Sequence, residues 1–172
     1  MMPIILSALL ALPIYKEDVN DGRKQAQLKV IAEAIAHAAK ENKWPNRKQH
    51  AALLIAIAYH ETGLSLRIHA GNCKPYECDG GRARGLWQLH SNAYVPPPIW
   101  FELAGLDYDR TRASAVEASR ALNRAYWMCN RYDGDKVAMA LTAYAGLGCR
   151  ASWKGLQPRM QTYRMVLRKL GG

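Results

Sequence analysis

From Asn46 to Leu64 the chain reads NRKQHAALLIAIAYHETGL. The stretch Ala51 to Ala58 is apolar throughout, with no polar face at any helical spacing. A surface helix keeps a polar stripe, so a helix without one is buried on most of its sides. The segment predicts a helix that begins after Asn46 and runs to about Thr62. Gly63 then ends it as a left-handed cap.

The flanking sequence is also mainly helical. From Lys24 to Asn42, Leu28, Ile31, Ala32, Ile35 and Ala38 recur with a helical period. Asp21 and Gly22 precede this segment as start signals, and Trp44-Pro45 lies beyond its end. Arg112 to Arg131 carries Ala115, Ala118, Leu122, Ala125 and Tyr126 on one face. Asp135 to Tyr144 is a short apolar helix ended by Gly146 and Gly148. A last helix spans about Pro158 to Leu170, because proline is accepted in a first helical turn. Between Leu64 and His90 the period is lost. Gly71, Gly80, Gly81 and Gly85 punctuate an irregular excursion with room for a small β-hairpin. Pro96-Pro97-Pro98 is expected to keep the following stretch out of helix. The fold class is mainly α (α+β), in a single domain. A long break inside a helical domain is where a functional site is expected.

Composition bounds the rest. With 172 residues, 49% apolar and 22% charged, the chain can bury a sizeable core and is not a disordered polymer. No run reaches the roughly 20 apolar residues of a membrane-spanning helix. Residues 1–22 form an apolar N-terminal segment, read as a packing segment or a secretory signal, and residues 23–172 form the domain proper. No Lys or Arg precedes Pro3, and no clear small-x-small cleavage site follows. Lys and Arg outnumber Asp and Glu by 24 to 14, and the net charge of +10 points to an anionic partner. That partner is a wall polymer, a membrane surface or nucleic acid. Cys73, Cys78, Cys129 and Cys149 form an even set, which suits disulfides in an oxidising compartment. Zinc ligation by the Cys73/Cys78 pair and free buried thiols are the other readings.

Glu61 is the residue that stands out. The buried stretch before it, Ala51 to Tyr59, carries no charge. A carboxylate in the last turn meets the negative end of the helix dipole, and apolar surroundings also disfavour its ionised form. Both effects favour the protonated state that a general acid needs. The plainer reading is a surface carboxylate paired with Arg67. Two further segments bear on this. Gly85-Leu86-Trp87-Gln88 sets an aromatic ring beside an amide, a pairing that suits the apolar faces and hydroxyl edges of sugars. Ala143-Tyr144-Ala145-Gly146 ends an apolar helix with a phenol that needs a polar partner, for which a carboxyl group is a natural choice.

Together, Glu61-Thr62-Gly63-Leu64, Gly85-Leu86-Trp87-Gln88 and Ala143-Tyr144-Ala145-Gly146 resemble the three ordered motifs of the soluble lytic transglycosylase family. Its usual forms are Glu-Ser-x-Phe, Gly-Leu-Met-Gln and Ala-Tyr-Asn-Ala-Gly. The resemblance covers about residues 47 to 150. Thr62 stands for Ser and keeps the hydroxyl. Trp87 stands for Met and keeps an apolar wall. The third motif lacks its Asn and is one residue short.

The resemblance implies a lysozyme-like fold and cleavage of peptidoglycan between N-acetylmuramic acid and N-acetylglucosamine, leaving a 1,6-anhydro end. It makes Glu61 the acid and then the base. Gln88, Thr62 and Trp87 become substrate-binding or supporting residues, and Tyr144 supports Glu61. No cofactor or metal is implied. Peptidoglycan glycan strands are the expected partner, nucleic acid is not required, and a monomer is expected. The setting would be secreted, periplasmic or on a phage particle. Proximity and motif position favour the pairs Cys73–Cys78 and Cys129–Cys149 among the three pairings that four cysteines allow.

Three rivals remain at this point. A hydrolytic lysozyme would use Glu61 with a second carboxylate, for which Glu77 and Asp79 are the candidates. A zinc peptidase would build on His60-Glu61, but Leu64 stands where the second His belongs, which leaves His69 and His90 as ligands. A non-catalytic basic module binding cell wall or nucleic acid would use Arg159, Arg164, Arg168 and Lys169 on the last helix. The plainer reading of those four is a solvated helix face.

Overall fold

The computed structural model describes residues 1–172 except 14–21, 75, 93 and 151–153. The Asp21 start signal lies outside the described residues. The architecture is mainly α-helical with one small β-hairpin, as the patterning predicts. In chain order the elements are α1 (Met2–Leu10), α2 (Gly22–Glu41), α3 (Arg47–Thr62), α4 (Leu66–His69), α5 (Cys78–Gly81), β1 (Ala83–Arg84), β2 (Leu89–His90), α6 (Pro97–Phe101), α7 (Tyr108–Cys129), α8 (Lys136–Tyr144) and α9 (Leu156–Lys169).

Helix α3 is the axis of the fold. Every residue from Ala51 to Ala58 is buried, and α2, α7 and α9 pack around it. Its start is fixed by Asn46, whose side chain accepts from the amides of Lys48 and Gln49 and so satisfies two otherwise orphaned donors. Its end is fixed by Gly63, which adopts φ 59° and returns its N–H to the Tyr59 carbonyl at 2.8 Å. Leu64 continues the left-handed course, and the buried amine of Lys24 donates to its carbonyl. Helix α1 lays Ile5, Ala8 and Leu9 into the same core, beside α2 and α9.

Other boundaries move for local reasons. Helix α7 starts at Tyr108, ahead of the predicted Arg112, because the Asp107 side chain caps it by accepting from the Arg110 amide. Helix α9 starts at Leu156, with Pro158 inside its first turn. The triproline does not exclude helix: Pro97 and Pro98 open α6, where a missing N–H costs nothing. The excursion holds the one-turn segments α4 and α5 as well as the hairpin. In α5, Cys78, Asp79, Gly80 and Gly81 all have positive φ, so this turn is wound left-handed. Both expected disulfides are formed, Cys73–Cys78 in the excursion and Cys129–Cys149 between the end of α7 and the segment after α8.

Candidate active site

Glu61 occupies the last turn of α3 with about a quarter of its side chain exposed. Its surroundings are less apolar than the sequence suggests. Arg159, in the first turn of α9, donates from Nη2 to Glu61 Oε1 at 2.7 Å, and from Nη1 to the Gly155 carbonyl at 3.2 Å. One turn further along α9, Thr162 Oγ1 lies 2.8 Å from His60 Nε2. The last helix thus braces the end of α3 at two consecutive residues. Burial holds the His60 imidazole below its ordinary pKa, and the Arg159 charge adds to that. Arg67, the pairing partner considered for Glu61, binds Glu77 instead.

The second motif is the hairpin turn itself. Strands β1 and β2 pair antiparallel, Ala83 with His90 and Arg84 with Leu89, and Gly85 to Gln88 connect them. Gly85 has φ 69°, and a β-carbon there would meet the Leu103 carbonyl oxygen at 2.3 Å. The turn can therefore lie against Leu103 only because residue 85 is glycine.

Trp87 does not offer a sugar-binding face. It is wholly buried, and its indole N–H donates to the Leu54 carbonyl at 2.9 Å. A large aromatic ring with its polar atom satisfied inside the protein is a core anchor, here pinning the hairpin to α3. Thr62 is also buried; its hydroxyl donates to the Ala58 carbonyl at 2.9 Å and lies 3.4 Å from the Leu86 carbonyl. Both residues support the site from beneath. Gln88, at φ 49°, is part-buried, and its Nε2 donates to Gly85 O at 2.9 Å.

Tyr144 closes the arrangement. Its hydroxyl donates to the Trp87 carbonyl at 2.9 Å, so its polar partner is a backbone oxygen and not a carboxylate. Burial pushes the phenol far up, and the nearby Glu61 charge pushes it further, so Tyr144 stays a neutral donor.

Glu61 lies where two clefts meet. One, of about 790 Å³, is lined by Tyr59, His60, Arg67, Lys74 and Glu77 as well as Glu61. The other, of about 580 Å³, brings Glu61 together with Gln88, Tyr144, Asp79, His90 and Arg159. Residues from all three motifs therefore line one cleft.

The two candidate second carboxylates differ. Glu77 is tied down: Arg67 Nη2 donates to Oε1 at 2.6 Å, and the Lys74 amide donates to Oε2 at 2.8 Å. The Arg67 hydrogen bond, followed by that from the Lys74 amide, holds its carboxyl down to about 2. Asp79 is half exposed in the Glu61 cleft, with Arg82 at 2.9 Å and His90 Nε2 at 3.8 Å. Of the histidines considered as metal ligands, His69 is a core group. It is buried between Gln27 Nε2 at 3.2 Å and Thr111 Oγ1 at 3.1 Å.

Arg159 is the site residue that sequence reasoning placed elsewhere, among the basic residues of the last helix. It is 98 residues from Glu61, and no local spacing signals that pairing. No protein-family model, curated protein or solved structure matches the chain.

Proposed function

We propose that the chain cleaves the glycan strands of peptidoglycan as a lytic transglycosylase, with Glu61 as its single catalytic carboxyl. The observation that carries this reading is the cleft in which Glu61, Gln88 and Tyr144, each from a different motif, line one surface. Protonated Glu61 donates to the glycosidic oxygen as the bond breaks. An oxocarbenium-like centre develops on the muramic sugar, and the substrate's own acetamido oxygen stabilises it without a protein nucleophile. Ionised Glu61 then takes the proton of the C6 hydroxyl, whose oxygen attacks C1 and closes the anhydro ring. The two disulfides suit an oxidising compartment such as the cell wall environment. The net charge of +10 suits an anionic wall polymer.

The test is Glu61→Gln, which keeps the shape of the side chain and removes its proton. Lysis of purified cell walls should fall by about three orders of magnitude or more while wall binding is retained. Undiminished lysis would refute the assignment.

One observation favours a second reading. Asp79 shares the cleft with Glu61, so a hydrolytic lysozyme built on this site would use Asp79, not the pinned Glu77, to activate water. Loss of activity in Asp79→Asn, together with reducing-end products, would select this reading.

A further inference from the structure

The end of α7 carries a surface with no role in the chemistry given to Glu61. Trp127 and Met128 stand there side by side, each about half exposed. One turn before them, the Arg124 guanidinium lies 4.2 Å from the ring centroid of Tyr94, in the segment between β2 and α6. Just past the helix, the Tyr132 ring receives two guanidiniums, Arg131 at 5.1 Å and Arg150 at 4.5 Å. Three stretches of chain thus assemble a band of arginines and aromatic rings around Trp127. Among the described residues, none of these three arginines meets a carboxylate at ion-pair distance, whereas Arg120, one turn earlier on α7, is paired with Glu117. Asp133 and Asp135 line a hollow with Arg150 without pairing with it, and Asp135 accepts instead from the amides of Val137 and Ala138.

A guanidinium held against an aromatic ring gives up side-chain freedom in advance and keeps its N–H edge available. Cations fixed in this way are preorganised for carboxylates and phosphodiesters, which a guanidinium binds through two parallel hydrogen bonds. Trp127 adds an apolar ring that suits the CH face of a sugar. We propose that this band is a second polymer-binding site, outside the catalytic cleft, for an acidic glycan of the cell wall. Arg124, Arg131 and Arg150 take its oxyanions, and Trp127 takes a sugar face. The choice of a wall glycan rests on the reading of Glu61 as a glycan-cleaving acid. Its oxyanions are the carboxylates of peptidoglycan or the phosphodiesters of attached polymers, which offer a guanidinium the same chemistry. Other polyanions fit less well. Binding to an anionic bilayer scales with buried apolar area, and Trp127 and Met128 alone supply little. Single-stranded nucleic acid stacks successive bases on successive open rings, whereas Tyr94 and Tyr132 already carry arginines. Cys149, next to Arg150, is bridged to Cys129 at the end of α7 and follows Gly146 on the wall of the Glu61 cleft by three residues. The disulfide therefore ties the band to the segment that borders the cleft.

The experiment measures cosedimentation of the full chain with purified insoluble walls at physiological salt. The variants are Arg124→Gln/Arg131→Gln and Trp127→Ala. Arg164→Gln/Arg168→Gln is the control, since it removes the same charge from the exposed face of α9. The comparison ligands are walls stripped of phosphodiester polymers, neutral chitin, phosphatidylglycerol vesicles and single-stranded DNA. The double arginine variant of the band should bind walls about tenfold or more weakly, the worth of one charged hydrogen-bonded contact. Trp127→Ala should also weaken wall binding, and it carries the test if thermal unfolding shows that the double variant does not fold. The α9 control should lose far less, and cleavage of short soluble fragments should stay at the wild-type rate in all three. A loss that persists on stripped walls assigns the contact to peptidoglycan carboxylates, and one that vanishes there assigns it to phosphodiesters. Equal losses in the band and in the α9 control would reduce the effect to net charge and overturn the proposal. Unchanged wall binding in both band variants would overturn it too, as would tighter binding to vesicles or DNA that those variants abolish. A wild-type chain that cleaves no glycan, while the band variants still lose wall binding, would refute the reading of Glu61 and support this site.

Discussion

The Tyr144 hydroxyl donates to the Trp87 carbonyl at 2.9 Å, and this bond joins the end of α8 to the hairpin turn. Trp87 in turn donates to Leu54 in the middle of α3. The three motifs are thus linked through backbone carbonyls, with the catalytic candidate at the end of the same helix. Tyr144→Phe keeps the ring and removes the donor, leaving a buried carbonyl short of a partner. It should lower stability by about 1–2 kcal/mol and turnover by about tenfold, with little change in KM. Denaturant titration and steady-state kinetics check both. Unchanged turnover would mean that the bond does not position the site.

Gly85 sets how closely the hairpin approaches Leu103. Gly85→Ala should destabilise by about 3 kcal/mol or more, since the new methyl group would overlap the Leu103 carbonyl and φ is positive there. Gly80→Ala, also at positive φ but in open space, should cost only about 1 kcal/mol. Thermal unfolding of the two variants tests the contrast, and equal costs would show that backbone conformation, not close approach, governs both.

Two buried histidines make stability depend on pH. Burial lowers His50 and His69 from 6.5 to about 4 in the folded state. Neither nitrogen of His50 has a hydrogen-bond partner among the described residues, and its ring stacks on Trp44. The Thr111 hydroxyl donates to the Asp107 carbonyl, so it accepts from His69 Nε2–H, while His69 Nδ1 accepts from Gln27. That arrangement fits the neutral ring only. Between pH 6.5 and about 4 the unfolded chain takes up protons that the folded chain does not. The contribution is therefore complete above pH 6.5 and is lost as pH falls toward 4, by up to about 3 kcal/mol for each ring. Denaturant midpoints measured across this range should fall, and His50→Leu should flatten the slope by about half. A midpoint that holds constant from pH 7 to 4.5 would contradict this.

The disulfides differ in what they constrain. In the chain-entropy treatment the Cys73–Cys78 loop is worth roughly 2 kcal/mol and the Cys129–Cys149 loop roughly 3 kcal/mol. Paired serine substitutions should reproduce that order in unfolding experiments. Removing Cys73–Cys78 should also reduce activity, because it closes the segment carrying Glu77 and leads into Asp79. A loss of stability without any loss of activity would limit that bridge to scaffolding.

Much of this was legible in the sequence because it is local. The apolar run from Ala51 to Ala58 announces a central helix, Gly63 its end, and the glycines between residues 71 and 85 the excursion. Each depends on neighbours within a few residues. Trp87 is not legible in this way, because an aromatic beside an amide looks the same in sequence whether it faces a ligand or the core. Only tertiary packing places its N–H on Leu54. Arg159 escapes sequence reading for the same reason: Glu61 is distant in the chain, and the spacing of basic residues on α9 does not distinguish an inward arginine from outward ones. The triproline misled because proline forbids the interior of a helix but suits its first turn.

The most direct test of the central claim is the chemical end left on the sugar. Purified peptidoglycan is digested with the wild-type chain and with Glu61→Gln, and the soluble products are resolved by mass spectrometry. Glu61 acting as acid and then base closes the 1,6-anhydro ring without water, so the wild-type products should end in muramic residues one water lighter than reducing ends, and the Glu61→Gln digest should contain almost none. Wild-type products with reducing ends alone would contradict the account, as would anhydro products formed at full rate by Glu61→Gln.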